Sequence, residues 1–332
     1  MRYLIALLIV LLPMASTAQD WEDRQLFNAG ASGPSLRIIS STDTALFAPI
    51  LDRFVADNPF VSVEYLVTGT ADIDRRFRAN PADFDLVISS AMDLQLKLAN
   101  DGYALALDDV THPAWAQWRQ SLYAFTAEPA AIVINRAAFA GHPIPTTRQE
   151  LIQALRARPD TFRDRIATYD VRKSGLGYLF ATQDARASET FWRLMEVMGS
   201  LNVRLYCCSG DMIDDLADGT IAVAYNVLGS YAAARIDSQD TFDIILPSDF
   251  PITMMRTAMV SGQSTSPDQA ALFIKHLIAQ QLNPDSALPS LLAQSTNAEQ
   301  ATISLEPALM TFLDALKRRK FLSEWESALI QE

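Results

Sequence analysis

Apolar positions fall into short runs and helical stripes along most of the chain. Leu36 to Ser40 has the look of a buried strand. The stretch after it places Phe47, Ile50, Leu51, Phe54 and Val55 on one helical face, with Thr42 or Asp43 available as the cap. Val61 to Val67 alternates valines with Ser62 and Glu64 and predicts a second strand. Phe84 to Ile88 predicts a third, followed by Ser89-Ser90 and a helix from Met92 to Asn100. Strands alternating with helices imply mainly parallel sheets with right-handed crossovers, an α/β fold.

The register changes at Tyr123 to Asn135, where an aromatic and β-branched run crosses Glu128-Pro129 with no helix between, as expected of chain passing between lobes. Beyond it, Thr147 and Glu150 have capping-box spacing and Ile166 to Tyr169 reads as a strand. Phe191, Leu194, Met195 and Met198 form a helical stripe, and a later helix runs from near Ser209 to Gly219. Ile221 to Tyr225 is the next strand. Phe242 to Leu246 and Met254 to Val260 make a return crossing, and Ser266-Pro267 opens a helix. The expected division is a loose amino-terminal arm at 19–34, lobe one at 35–125 plus 248–332, and lobe two at 126–247.

The first residues add a destination. Met1-Arg2, the apolar run Tyr3 to Leu12, Pro13 and the small residues Ala15 to Ala18 form an export signal over 1–18, cleaved after Ala18. That run is well short of the roughly 20 residues that span a bilayer. A soluble periplasmic protein without membrane insertion is the expectation.

The 332 residues carry a formal net charge of −12 and a pI near 4.7, which argues against nucleic acid as a partner. A small anion remains compatible, because a few local donors govern a pocket. The two cysteines are the neighbours Cys207 and Cys208, either joined in a ring or left as buried thiols. His112, His142 and His276 are scattered, and no histidine or cysteine has metal-ligand spacing. There is no nucleophile elbow and no His-Glu-x-x-His run. No catalytic residue, no metal and no cofactor is therefore expected.

The segments "IISSTDTALFAPILDRF", "FDLVISSAMDLQLKLANDGYA", "EPAAIVINRAAF" and "STSPDQAALFIKHLIA" give the chain its family likeness. Over nearly all of its length beyond residue 18 it resembles the type 2 periplasmic solute-binding proteins of ABC transporters. Within them it is similar to the branch holding iron(III)-binding, hexose-phosphate-binding and phosphoglycerate transport regulatory proteins. The resemblance implies a two-lobed fold, each lobe a mainly parallel sheet flanked by helices, that closes on a small-molecule ligand without transforming it. The implied partner is a membrane permease or a sensor histidine kinase, and the implied state is a monomer. Iron-binding members place two adjacent tyrosines after the strand corresponding to Ile221 to Tyr225. Here Tyr225-Asn226-Val227-Leu228-Gly229-Ser230-Tyr231 holds no such pair. A phosphorylated or carboxylated solute is therefore expected, with a ferric-iron receptor as the alternative and an exported hydrolase as a more distant one.

Ligands of open α/β sheets sit beyond the carboxyl ends of the strands, where helix N-termini offer unpaired N–H groups. That rule selects Ser40, Ser41 and Thr42, then Thr68, then Ser89 and Ser90 in lobe one. In lobe two it selects Arg172, Ser174, Gly175 and Gly177, together with Tyr225 and Asn226. Arg172 is expected to make a charge-assisted contact, so that Arg172→Ala costs about 1.5–3 kcal/mol of anion binding.

Overall fold

The computed structural model describes residues 21–28, 30, 35–235, 241–282, 288–291 and 302–330. The export signal expected over 1–18 lies outside them. Lobe one contains strands Asp23–Phe27 (β1), Ser35–Ser40 (β2), Ser62–Val67 (β3), Leu86–Ser89 (β4), Gln117–Trp118 (β5) and Leu122–Ala124 (β6). Its seventh strand comes from far along the chain, Thr257–Val260 (β13), and the sheet order is β1-β3-β2-β4-β13-β6-β5. Helices Thr44–Asp57 (α1), Thr70–Ala79 (α2), Met92–Asn100 (α3) and Pro267–Ala279 (α10) flank it.

Lobe two contains Glu128–Asn135 (β7), Ile166–Tyr169 (β8), Arg204–Tyr206 (β9), Val223–Leu228 (β10) and Phe242–Ile245 (β11), ordered β11-β7-β10-β8-β9, with Thr253–Met254 (β12) paired to β7. Its helices are Arg148–Ala157 (α4), Pro159–Phe162 (α5), Gly175–Ala187 (α6), Thr190–Ser200 (α7), Ser209–Ala217 (α8) and Gly229–Ala233 (α9). A last helix, Ala315–Leu329 (α11), follows a 3-10 segment at Pro307–Leu313.

The predicted strand–helix alternation is realised because each stripe finds a sheet face to cover. The stripe Phe47, Ile50, Leu51, Phe54 and Val55 of α1 is buried on lobe one beside Phe273, Ile274 and Leu277 of α10. Thr147 caps α4 by accepting from the Glu150 backbone N–H at 3.1 Å. The reciprocal half of the box is displaced by one residue, since Glu150 Oε2 accepts from the Thr146 N–H at 2.7 Å.

Each sheet has a parallel centre, β3-β2-β4 in lobe one and β10-β8-β9 in lobe two. Strands that arrive from the other lobe join antiparallel: β13 beside β4 and β6, and β7 beside β10 and β11. A strand entering from the opposite lobe runs against the βα units, so the crossings set the mixed pattern.

Two expectations about the divisions need correcting. Residues within the expected loose arm form β1, which pairs antiparallel with β3 from Asp23 opposite Val67 to Phe27 opposite Val63. Only Phe27 of this edge strand is buried, so no apolar alternation marks it. The carboxyl end, expected in lobe one, instead puts α11 on lobe two. Its stripe Phe321, Trp325 and Leu329 is buried with Phe191, Leu194 and Met198 of α7, and Phe321 packs against Trp192 and Tyr178 at ring distances of 5.6 and 5.5 Å. The i, i+4, i+8 spacing gives α11 one apolar face, and α7 supplies the surface to cover it.

Candidate functional site

The lobes meet along a cleft of about 490 Å³ of empty space, continuous with solvent. Its lobe-one wall is made by the turns that leave β2, β3 and β4, carrying Ser41, Asp43, Thr68, Gly69, Thr70 and Ser90, with Glu22 from just before β1. Its lobe-two wall is made by Tyr169, Lys173 and Ser174 after β8, by Cys207, Cys208 and Ser209 after β9, and by Leu228 and Tyr231 at the end of β10. Helices α1, α2, α6 and α8 thus start at the cleft, as the topology of open α/β sheets requires.

Direct contacts close the cleft at its edges. Thr70 Oγ1 accepts from the N–H groups of Gly175 and Leu176 at 2.8 and 3.1 Å, so a lobe-one hydroxyl caps the first turn of a lobe-two helix. Across from it the Tyr231 hydroxyl donates to Asp43 Oδ1 at 3.3 Å. A Cβ added to Gly175 would lie 3.0 Å from Leu94 Cδ1 and 3.2 Å from Ala91 Cβ, both in lobe one, so this approach is built for glycine.

The hinge is tied by buried charge. Arg256, just before β13, forks onto Glu128 at the start of β7 with two bonds of 3.0 Å, and both side chains are fully buried. Arg256 also donates to Thr42 Oγ1, and Glu128 Oε2 accepts from the Ser230 hydroxyl at 2.5 Å. The two crossings are therefore joined to each other and to one cleft turn from each lobe.

Electrostatics distinguish the two walls. Partial burial lifts the Glu22 carboxyl above the ordinary range, and Asp43, Asp72 and Asp211 push it further. Asp43 is raised by burial and by Asp211, although Tyr231 and Arg256 pull the other way. The one cationic side chain on the wall, among the described residues, is Lys173.

Of the residues selected from sequence, Ser41, Thr68, Ser90 and Ser174 line this cleft together. Ser41 and Ser90 meet through a 3.2 Å bond from the Ser90 N–H to Ser41 Oγ, and Ser174 caps α6 by accepting from the Gly177 N–H at 3.1 Å. The others serve the frame. Ser40 Oγ is buried and accepts from Tyr65 Oη at 2.7 Å, Thr42 is held by Arg256, and Ser89 Oγ accepts from the Ala91 N–H at 3.1 Å. Gly177 lets α6 lie on β8, since a Cβ there would stand 2.3 Å from Tyr169 Cβ. Gly175 forms the interlobe contact. Tyr225 and Asn226 face lobe two's interior: the Tyr225 hydroxyl and Asn226 Nδ2 each donate to Asp184 Oδ2 at 2.7 Å, while Arg148 binds Asp184 Oδ1 at 2.7 Å. Asn226 stands at a break in the β7–β10 register with φ of 63°, a conformation asparagine tolerates.

Arg172 departs most from expectation. Its guanidinium is clamped on Asp170, Nε to Oδ1 at 2.7 Å and Nη2 to Oδ2 at 2.9 Å, and its remaining arm points to Glu326 of α11. A carboxylate two residues away outcompetes a distant ligand for the fork. Arg172→Ala is accordingly expected to leave solute affinity within about twofold of the parent, against the one to two orders of magnitude expected from sequence. Calorimetry on the two proteins measures it directly.

Glu22, Asp43, Tyr169, the two cysteines, Ser209 and Tyr231 were not selected from sequence as ligand contacts. Tyr169 obeys the strand-end rule and could have been found by it. Cys207 and Cys208 are joined as a disulfide, which resolves the choice between ring and thiols.

No protein-family model matches the sequence, and no curated protein matches it. Solved structures do. The periplasmic binding protein AfuA from Actinobacillus pleuropneumoniae, solved with fructose-6-phosphate, shares the fold at a TM-score of 0.73 and 13% identity, covering 91% of this chain and 100% of its own. Iron-bound HitA from Pseudomonas aeruginosa does so at 0.65 and 14%, covering 89% of this chain and 99% of its own. The substrate-binding protein of an ABC transporter from Agrobacterium tumefaciens aligns at a TM-score of 0.86 and 30% identity, over 92% of this chain and 98% of that one. With that identity sustained over nearly the whole of both chains, the protein belongs to the substrate-binding proteins of ABC transporters, which bind solutes without transforming them.

Proposed function

We propose that this chain is a periplasmic receptor that closes on a small solute bearing positive charge or several hydrogen-bond donors, and presents it to an ABC permease. The observation that carries this reading is the pair of carboxylates, Glu22 and Asp43, on a cleft wall where Lys173 is the lone cationic side chain among the described residues. Closure brings Asp211 of lobe two within electrostatic reach of both, and the three negative charges oppose the closed state. A solute cation between them offsets that repulsion, so closure depends on loading. Seryl, threonyl and tyrosyl hydroxyls around the carboxylates supply further acceptors. The phosphorylated or carboxylated solute expected from sequence drew on the missing tyrosine pair and on the Arg172 to Tyr178 segment; in that segment Asp170 takes the Arg172 fork, and Thr70 and Ser174 take the N–H groups of the α6 N-terminus. No helix among the described residues is long and apolar enough to cross a membrane.

A thermal-shift screen over amines, polyols, hexose phosphates, phosphoglycerates and dicarboxylates tests the reading. A ligand at 100 times its Kd adds about 2.7 kcal/mol of stability. Shifts are expected with amines or polyols, and a response confined to phosphates or carboxylates overturns the charge argument. For an amine that scores, Asp43→Asn is expected to weaken binding by about 10- to 100-fold, the loss of one charge-assisted bond. Because the Asp43 carboxyl is raised, parent affinity for the amine falls as pH drops through the upper carboxylate range, and the Asn variant loses that part of the dependence. Calorimetry across pH reads both effects.

A ferric cargo is a second reading, favoured by one observation. Tyr169, at the end of β8, and Tyr231, in α9, reach the same cleft as Glu22 and Asp43, which provides phenols and carboxylates without an adjacent tyrosine pair. Burial raises both phenols, so each would ionise only as a metal replaces its proton. A visible tyrosinate band on adding ferric citrate is the signature of this reading, and a colourless protein ends it.

A further inference from the structure

The disulfide lies on the cleft wall between β9 and α8. Cys208 is the N-cap of α8 and Asp211 lies in that helix's first turn, so the carboxylate reaches back toward the sulfurs, with Asp211 Oδ2 3.7 Å from Cys207 Sγ. The two Sγ atoms and an Asp211 oxygen all lie within 4.8 Å of one another. Cys207 is exposed, Cys208 is half-buried, and both face the cleft.

We infer that Cys207, Cys208 and Asp211 form a redox-gated site for a thiophilic divalent cation at the cleft wall. In the oxidised chain the sulfurs are bonded to each other and the site is closed. A dithiol reductant opens it in two exchanges. One reductant thiolate attacks the exposed Cys207 Sγ and expels the Cys208 thiolate; the second then attacks the mixed disulfide and releases Cys207. Two electrons and two protons pass to the pair, and the reductant leaves as its own disulfide. The N-terminus of α8 favours the Cys208 thiolate.

Both sulfurs then bind one metal, giving up their protons to solvent, and move apart to about 3.8 Å, the separation set by metal–sulfur bonds of about 2.3 Å in a tetrahedral site. Asp211 supplies a third ligand and water a fourth. Soft sulfur donors select zinc, cadmium or mercury over magnesium or calcium. The two thiolates offset the dication, so the loaded site carries the same single negative charge that Asp211 carries beside the closed disulfide.

Cadmium is the probe. The full-length mature protein is reduced with dithiothreitol, freed of reductant under nitrogen, and titrated with cadmium while the thiolate-to-metal ultraviolet band is followed. One cadmium per chain is expected in the reduced protein and none in the oxidised protein, with Cys208→Ser abolishing the band. Asp211→Asn retains both sulfurs and the fold and weakens binding by about tenfold or more. Alkylation with iodoacetamide before and after reduction, read by mass, reports whether the bond opens in the folded chain. Failure of the bond to open, absence of the band after it opens, or an unchanged titration in Asp211→Asn overturns the inference. None of these readouts involves the solute, so a failed solute screen and a failed cadmium titration point to different errors.

Discussion

Replacing Arg256 by methionine is expected to remove about 3–5 kcal/mol of stability and to reverse the sign of its pH dependence in the acid range. The magnitude follows from what remains: Glu128, fully buried, loses the two guanidinium bonds and keeps only Thr126 and Ser230. In the parent, burial pushes the Glu128 carboxyl up but Arg256 outweighs it and holds it below the ordinary range. A depressed carboxylate contributes stability above its unfolded value of about 4.3 that is lost as pH falls through the folded value. In the variant, burial acts unopposed and the folded value rises above the unfolded one. The folded state then binds more protons, so stability falls as pH rises from about 4.3. Urea unfolding across the acid range distinguishes the two slopes. A loss under about 1 kcal/mol, or a variant slope with the parent's sign, would show that the hinge does not depend on this pair. Glu128→Met combined with Arg256→Met removes both charges and is expected to recover most of the stability while loosening the tie to Thr42 and Ser230.

Gly175→Leu is expected to hold the lobes apart. Even a Cβ at this position crowds Leu94, Thr70 and Ala91, and every one of those atoms belongs to lobe one. The strain exists only in the closed form, because the open form separates the two surfaces. Overpacking costs about 1–3 kcal/mol, which converts to a loss of solute affinity of about 5- to 150-fold through the closing equilibrium. Small-angle scattering of the unloaded variant should give a larger radius of gyration than the parent, with an unchanged helical circular dichroism spectrum. An equally compact variant would mean that the α6 contact yields instead of the hinge. Leucine also favours the helix more than glycine does, which makes unfolding of α6 itself an unsuitable explanation.

How far the sequence could be read tracks how each element is buried. Helix α1 and strands β2 to β4 carry full apolar patterns because both sheet faces are covered, and those patterns were sufficient. Strand β1 exposes Asp23 to Leu26, and β9 exposes Arg204, so neither shows an alternation to detect. The stripe of α11 begins at Phe321, directly after Lys317-Arg318-Arg319-Lys320, and that charge run obscures it. The hydroxyls of the cleft were accessible because topology alone places strand ends there. The pairing of Tyr231 with Asp43 was not: the two meet across 188 residues of sequence, and only the approach of the lobes brings them together. Arg172 misled for a local reason, since Asp170 precedes it by two residues and takes its fork.

The return of α11 to lobe two also bears on how the chain acquires its structure. The core around Phe191, Leu194 and Met198 lacks one wall until Phe321, Trp325 and Leu329 arrive, and lobe one lacks β13 and α10 until residues 257–279 arrive. Neither lobe can therefore be finished from a nascent amino-terminal fragment. Contacts of such long sequence separation slow folding, and each half can be sealed only after its late segment has been made. A chain of this order leaves both of its cores open until those late segments are available.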